Sequence, residues 1–156
     1  MNKLLKDTSP AQSLEPIFAG IQAIGLSRYP LLAVFFSGNK LPGDCVPMAR
    51  TPMPFTDFLF DKSFPKHLSA ALHENESIHD GAVLFGRVDS HDLYRCSGWS
   101  FRIVAKHQPS TAEANRGSAY NSAISLSGAP RIDCVCLFTE SDFEVFVAGK
   151  SFRKSG

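Results

Sequence analysis

The sequence predicts an α/β domain in which a mixed, twisted sheet is flanked by helices. Three observations lead there. Segments with a helical period alternate with short apolar runs of strand length. A length of 156 residues suits one domain with one core. Thirteen Phe, within an apolar content of 44% against 20% charged, supply an aromatic interior of ordinary globular composition.

The elements follow in chain order. Residues 1–13 read as a loose, flexible arm, and residues 14–156 as a single domain. "SLEPIFAGIQAIGLSR" brings Leu14, Ile17, Phe18, Ile21 and Ile24 near a helical period, with Ser13 as N-cap and Pro16 in the first turn. "PLLAVFF" (30–36) is a buried strand. Residues 37–54 are rich in Gly and Pro and read mostly as loop, of a length often associated with function. A helix is expected over 63–75, and a strand over 82–88. A second strand near 92–97 runs antiparallel to it across "DSHD". "AKHQPSTAEANRGS" is a polar loop, and "SAYNSAISLSG" a short helix ending at Gly128. "IDCVCLFTE" and "FEVFVAGK" are two strands joined at "SD".

Charge and cysteine content narrow the classes of function. A formal net charge of +1 argues against holding nucleic acid through bulk electrostatics. The longest strongly apolar run is too short to span a bilayer, so no membrane partner is expected. The N-terminal "MNKLLKDTSP" has no apolar signal core, which leads to the expectation of a cytoplasmic protein with reduced thiols. Cys45, Cys96, Cys134 and Cys136 read as buried structural thiols. Strand alternation puts Cys134 and Cys136 on one face, and no partner pair has metal-ligand spacing. The five His residues likewise show no metal-ligand spacing.

Two spaced stretches carry the functional reading. Asp80-Gly81-Ala82 stands at the mouth of an apolar strand. Gly117-Ser118-Ala119-Tyr120-Asn121-Ser122-Ala123 is followed by a strand and by Thr139-Glu140-Ser141. This order resembles the diadenylate cyclase domain, the nucleotide-binding domain also found at the N-terminus of the DNA-integrity scanning protein. That family carries Asp-Gly-Ala, then Gly-Thr-Arg-His-Arg-Ala-Ala, then a strand ending in Ser-Glu-Glu. The likeness spans about residues 55–150. Asp80, Gly81, Ala82, Gly117 and Glu140 agree, Ser118 and Thr139 are conservative, and Ser141 replaces the second Glu. Ala119, Tyr120 and Asn121 stand where the family has Arg, His and Arg. The resemblance implies a face-to-face homodimer or higher oligomer, each domain holding one ATP. It implies condensation of two ATP to cyclic di-AMP with Mg²⁺ or Mn²⁺, and an aspartate that serves the metal or the attacking hydroxyl.

Each residue has its own physics beside that implication. The Asp80 carboxylate suits an oxygen-seeking cation or a hydroxyl to be activated; a turn aspartate bonding its own backbone is the plainer alternative. Gly81 and Gly117 allow close approach of backbone to a ligand, or simply make turns. Ser118, opening a helix, suits a phosphate seat or an N-cap. Tyr120 is suited to stack on a purine and Asn121 to bond a phosphate or base edge. Neither replaces a guanidinium fork, and loss of one such donor costs about 10²–10³ in rate. Arg116, Arg102, Lys106 and His107 are the candidate displaced cations, or surface residues. Thr139 and Glu140 follow a strand end, where ligands gather in open sheets. Trp99 and Phe101 line an adenine pocket or anchor the core.

The expectation is thus an adenine-nucleotide-binding domain of the diadenylate cyclase type, with Asp80 as catalytic and metal-binding residue. Gly81, Ala82, Trp99, Arg116, Gly117, Ser118, Tyr120, Asn121, Thr139 and Glu140 are expected around the nucleotide. An inactive nucleotide sensor and a structural or interaction module are the competing readings.

Overall fold

The computed structural model describes residues 9–104 and 117–155, with only the backbone of 153–155. Its elements are α1 (Pro10–Ile24), β1 (Leu31–Ser37), β2 (Cys45–Pro47), α2 (Phe64–Glu74), a short 3₁₀ turn (Glu76–His79), β3 (Ala82–Arg87), β4 (Arg95–Ile103), α3 (Ser118–Leu126), β5 (Ile132–Phe138), β6 (Asp142–Val147) and β7 (Lys150–Ser155). The seven strands form one sheet in the order β2-β4-β3-β1-β5-β6-β7. Only β1 and β3 pair in parallel; the other pairs are antiparallel. The α/β architecture with a mixed sheet flanked by helices is as the sequence predicts.

Alternation along the central strands divides the core into two layers. Leu31, Ala33 and Phe35 of β1, with Val83, Phe85, Cys134, Cys136 and Phe138, face α1 and α2. Leu32, Val34 and Phe36, with Ala82, Leu84, Val135 and Leu137, face α3. The first layer is aromatic. Phe35 lies 5.5 Å from Phe18, 4.8 Å from Phe60 and 5.2 Å from Phe85, ring centre to ring centre. The second layer holds smaller side chains under α3, and it leaves space at one end of the sheet. All four cysteines are free and buried, with Cys134 and Cys136 on one face as the alternation requires.

Several boundaries differ from the sequence reading. Helix α1 starts at Pro10, because Ser9 and Gln12 form a reciprocal capping box: Gln12 N donates to Ser9 Oγ and Ser9 N to Gln12 Oε1, both at 3.2 Å. Ser13 is therefore inside the helix, and Pro10 rather than Pro16 occupies the first turn. Strand β4 runs to Ile103, well past Gly98. Strand β7 follows a two-residue turn, Ala148-Gly149, with φ of 52° and 80°. Its polar sequence and edge position hide it from hydrophobic patterning.

Candidate functional site

An irregularity in β4 shapes the site. Ala82 and Leu84 of β3 pair with Phe101 and Gly98 of β4, so two steps on one strand face three on the other. Ser100 absorbs the extra residue at φ 64°. Such a bulge re-aims the side chains beyond it. Trp99 and Phe101 would share a face in a regular strand, yet they part here. Trp99, 2% exposed, joins the α1/α2 layer and donates Nε1–H to the Phe55 carbonyl at 3.0 Å. Phe101 turns to the α3 layer. The sequence-based place for Trp99 beside adenine is thus corrected: it is a core anchor on the other side of the sheet.

Phe101 faces a cavity of about 420 Å³, within the usual size range of small-molecule pockets. It lies at the ends of the strands where β1 and β3 begin and β4 and β5 finish. One wall is His79, Asp80, Gly81 and Ala82; the opposite wall is Ser118, Ala119 and Ser122 of α3. Pro30, Leu32, Met48, Phe101, Ile103 and Leu137 supply apolar surface, and Arg102 a cation. The Asp80 turn and the start of α3, far apart in sequence, are therefore brought together.

The turn at Asp80 is held by its neighbours. Asp80 N donates to Ser77 O at 3.1 Å, and Ser100 Oγ donates to Asp80 O at 2.5 Å. Gly81 has φ 100°, and a Cβ there would stand 2.7 Å from Phe101 O and 2.8 Å from Met48 Cε. Glycine is needed on both counts. The Asp80 carboxylate is 78% exposed and ion-paired with Arg50 at 3.2 Å. His79 Nδ1 is buried without a hydrogen-bond partner. Burial, helped by Arg28 and opposed by Asp80, lowers the His79 pKa from 6.5 and favours the neutral ring.

At the other wall Gly117, at φ 93°, is the N-cap of α3, and among the described residues no side chain caps this end. Ser118 is therefore the first helical residue and not the cap. Ser118 and Ala119 of this first turn line the cavity, where a helix start favours negative charge. Tyr120 points away: it is 5% exposed and packs edge-on against Phe146 at 5.3 Å. That position corrects the idea of a purine-stacking tyrosine. Among the described residues Asn121 does not line the cavity, although its Oδ1 is buried and has no hydrogen-bond partner there. Arg116, Lys106 and His107 lie outside the described residues.

Thr139 and Glu140 follow β5 at the same end of the sheet, but neither lines the cavity among the described residues. Thr139 Oγ1 donates to Asp142 Oδ1 at 2.9 Å and closes the β5–β6 turn. Gln22 of α1 donates Nε2–H to the carbonyls of Thr139 and Glu140 at 3.2 and 3.3 Å. The corner is thereby drawn toward the α1 face, away from α3. Arg50, Met48 and Ser100 are the residues that the sequence reading missed. The first two lie in the 37–54 loop, whose Gly and Pro content carries no motif to single them out.

Among the described residues no three His, Cys, Asp or Glu side chains gather as a metal-binding group. Asp80 is the single carboxylate on the described cavity wall, and its partner is a guanidinium. This donor set does not fit a divalent cation held by the chain itself.

No protein-family model matches the chain, and no curated protein does. Solved structures do. A hypothetical membrane spanning protein from Bacillus cereus superposes with a TM-score of 0.62 at 14% identity, over 97% of this chain and 67% of that one. A double mutant of DacA from Staphylococcus aureus superposes with a TM-score of 0.53 at 16% identity, over 92% of this chain and 86% of that one. Among the described residues no helix is long and apolar enough to cross a membrane. At these identities the likeness concerns the fold alone: the chain has a mixed α/β fold similar to that of DacA, a diadenylate cyclase.

Proposed function

We propose that the chain is an adenine-nucleotide-binding domain whose ligand sits between the Asp80 turn and the start of α3. The observation that carries this reading is the cavity of about 420 Å³ walled by both stretches. Its two kinds of surface match the two halves of a nucleotide. Leu32, Phe101, Ile103 and Leu137 offer an apolar wall to a base. The first turn of α3, Ser118 and Arg102 offer donors and positive charge to phosphates. Fold similarity to DacA supports the same assignment.

Condensation of two ATP to cyclic di-AMP is the finer form of this reading. It rests on the resemblance of Asp80-Gly81-Ala82 and the Gly117 stretch to the diadenylate cyclase motifs. Two properties of the chain weigh toward binding over turnover. Ala119, Tyr120 and Asn121 supply no charge where negative charge builds up in phosphoryl transfer. Asp80 carries a counter-ion on the carboxylate that would serve the attacking hydroxyl. Binding with strongly reduced condensation is therefore the function proposed, in the manner of a nucleotide sensor.

Two measurements test it. Mass spectrometry of small molecules carried through purification, and calorimetry with ATP, are expected to reveal an adenine nucleotide bound one per chain. Absence of nucleotide binding in every oligomeric form overturns the proposal. Chromatography after incubation with ATP and Mn²⁺ or Mg²⁺ is expected to show little or no cyclic di-AMP. Rapid formation by the natural chain, lost in Asp80→Asn, restores the cyclase reading in full.

A further inference from the structure

Arg50 belongs to the loop between β2 and α2, yet it is tied to the site at three points. Its Nη2 donates to Asp80 Oδ2 at 3.2 Å and to Met48 Sδ at 3.8 Å, and its Nε donates to Ser100 Oγ at 2.9 Å. Met48 and Asp80 both line the cavity, while Arg50 and Ser100 stand behind them, outside its lining. Ser100 is the bulged residue of β4, and its hydroxyl passes the contact on to the Asp80 backbone carbonyl at 2.5 Å. The two members of the ion pair differ in setting: the Arg50 side chain is 21% exposed and that of Asp80 78%. The guanidinium is the fixed partner and the carboxylate the loosely held one. A guanidinium has five N–H donors in a rigid fork. Among the described residues its hydrogen bonds run through Nε and Nη2.

We propose that Arg50, which a ligand reaches by taking the place of the Asp80 carboxylate at the edge of the cavity, is the anion-binding cation of the site, and that the site takes a polyphosphate group without a divalent metal. The proposal rests on the nucleotide reading above and specifies its electrostatics. An exposed ion pair such as Asp80–Arg50 is weak and easily exchanged. A phosphate chain brings more negative charge than one carboxylate and matches the fork in bidentate geometry. Arg102, on the cavity wall, adds a second cation. Asp80 then acts as a placeholder that keeps Arg50 oriented and discourages weaker anions. A divalent ion on Asp80 would have to displace Arg50 and then lie beside its charge, which is the unfavourable arrangement.

The experiment titrates ATP and inorganic tripolyphosphate into the full chain by calorimetry, in EDTA and in excess Mn²⁺ or Mg²⁺. Arg50→Ala, Arg50→Lys and Asp80→Asn are compared after thermal melts show them folded. The natural chain is expected to bind ATP in EDTA at least as tightly as with metal. Arg50→Ala is expected to lose tenfold or more in affinity, and Arg50→Lys to lose less, since charge remains but the fork is gone. Asp80→Asn, which frees Arg50 of its competitor, is expected to tighten binding several-fold. Binding that requires metal, collapses in Asp80→Asn and ignores Arg50→Ala overturns the proposal, while the nucleotide reading stands. ATP bound no more tightly than tripolyphosphate removes the adenine reading and leaves the role of Arg50 intact. No binding of either ligand under any condition overturns both.

Discussion

Replacing Gly81 with alanine tests whether the backbone beside Asp80 is as tightly fitted as its surroundings require. Two costs add. At φ 100° an L-residue is held in a conformation it rarely adopts, which costs about 1–2 kcal/mol. The new methyl would lie 2.7 Å from the Phe101 carbonyl and 3.0 Å from its amide nitrogen, on a strand locked into the sheet; overpacking of that kind costs about 1–3 kcal/mol. The sum, about 2–5 kcal/mol, is a large fraction of the stability of a domain. In a thermal melt it amounts to a fall of about 4–20 °C, at about 2–4 °C per kcal/mol for a chain of this length. Gly117→Ala is the matched control. It has a similar φ of 93° but, among the described residues, nothing within 4 Å of the new atom, so the conformational part, about 1–2 kcal/mol, is the cost expected. A Gly81→Ala melt within 2 °C of the natural chain, or no lower than that of Gly117→Ala, refutes the steric argument.

Three further outcomes are expected. Asp133 accepts from Ser37 Oγ and Tyr94 Oη, both at 2.5 Å, and stands 3.5 Å from Arg87 Nε; Asp133→Asn should cost about 2–4 kcal/mol in urea unfolding, because it leaves a half-buried arginine without its counter-charge. Burial pushes the Cys45 and Cys96 thiols from 9.0 up to about 12, and those of Cys134 and Cys136 higher still. These groups hold their protons more tightly folded than unfolded, so their contribution to stability is complete below about pH 8.5 and is lost as pH rises toward 12. Alkaline melts should show that decline, and a maleimide reagent at pH 7.5 should label the chain slowly until denaturant is added. Ser9→Ala removes half of the α1 capping box and should cost about 1 kcal/mol, measured by denaturant unfolding.

Much of the fold is legible in local pattern. The apolar run of β1, the alternation through Cys134 and Cys136, and the periodic spacing of Phe64, Leu68 and Ala71 each state a local preference that the packed molecule keeps. Helix α1 is legible at its true start too, once the Ser9–Gln12 box is preferred to the single cap at Ser13. Errors arise where a local signal has two readings. The strand expected near 92–97 does not stop at Gly98, which is the seat on which the Phe101 ring packs. Strand β7 has almost no hydrophobic pattern, because an edge strand facing solvent needs none.

For the candidate site, the Asp80 turn and the start of α3 line one cavity because of where β3 and α3 begin. The rest depends on relations between strands. A bulge at Ser100 decides that Phe101 and not Trp99 faces the cavity, and bulges are properties of a pair of strands rather than of either one. Helical rotation sends Tyr120 to the core while Ser118 and Ser122, four residues apart, stay on the cavity wall.

The order of residues by itself determined most of the segments that become helix or strand, which face of each of these is apolar, and where glycine permits a sharp turn. These are short-range consequences of side-chain period and backbone sterics. Only the tertiary structure decided that Arg50 meets Asp80 and that Gln22 draws the Thr139–Glu140 corner to the opposite face. Such contacts join residues 30 to 118 positions apart, and only the packed sheet sets the distances between them.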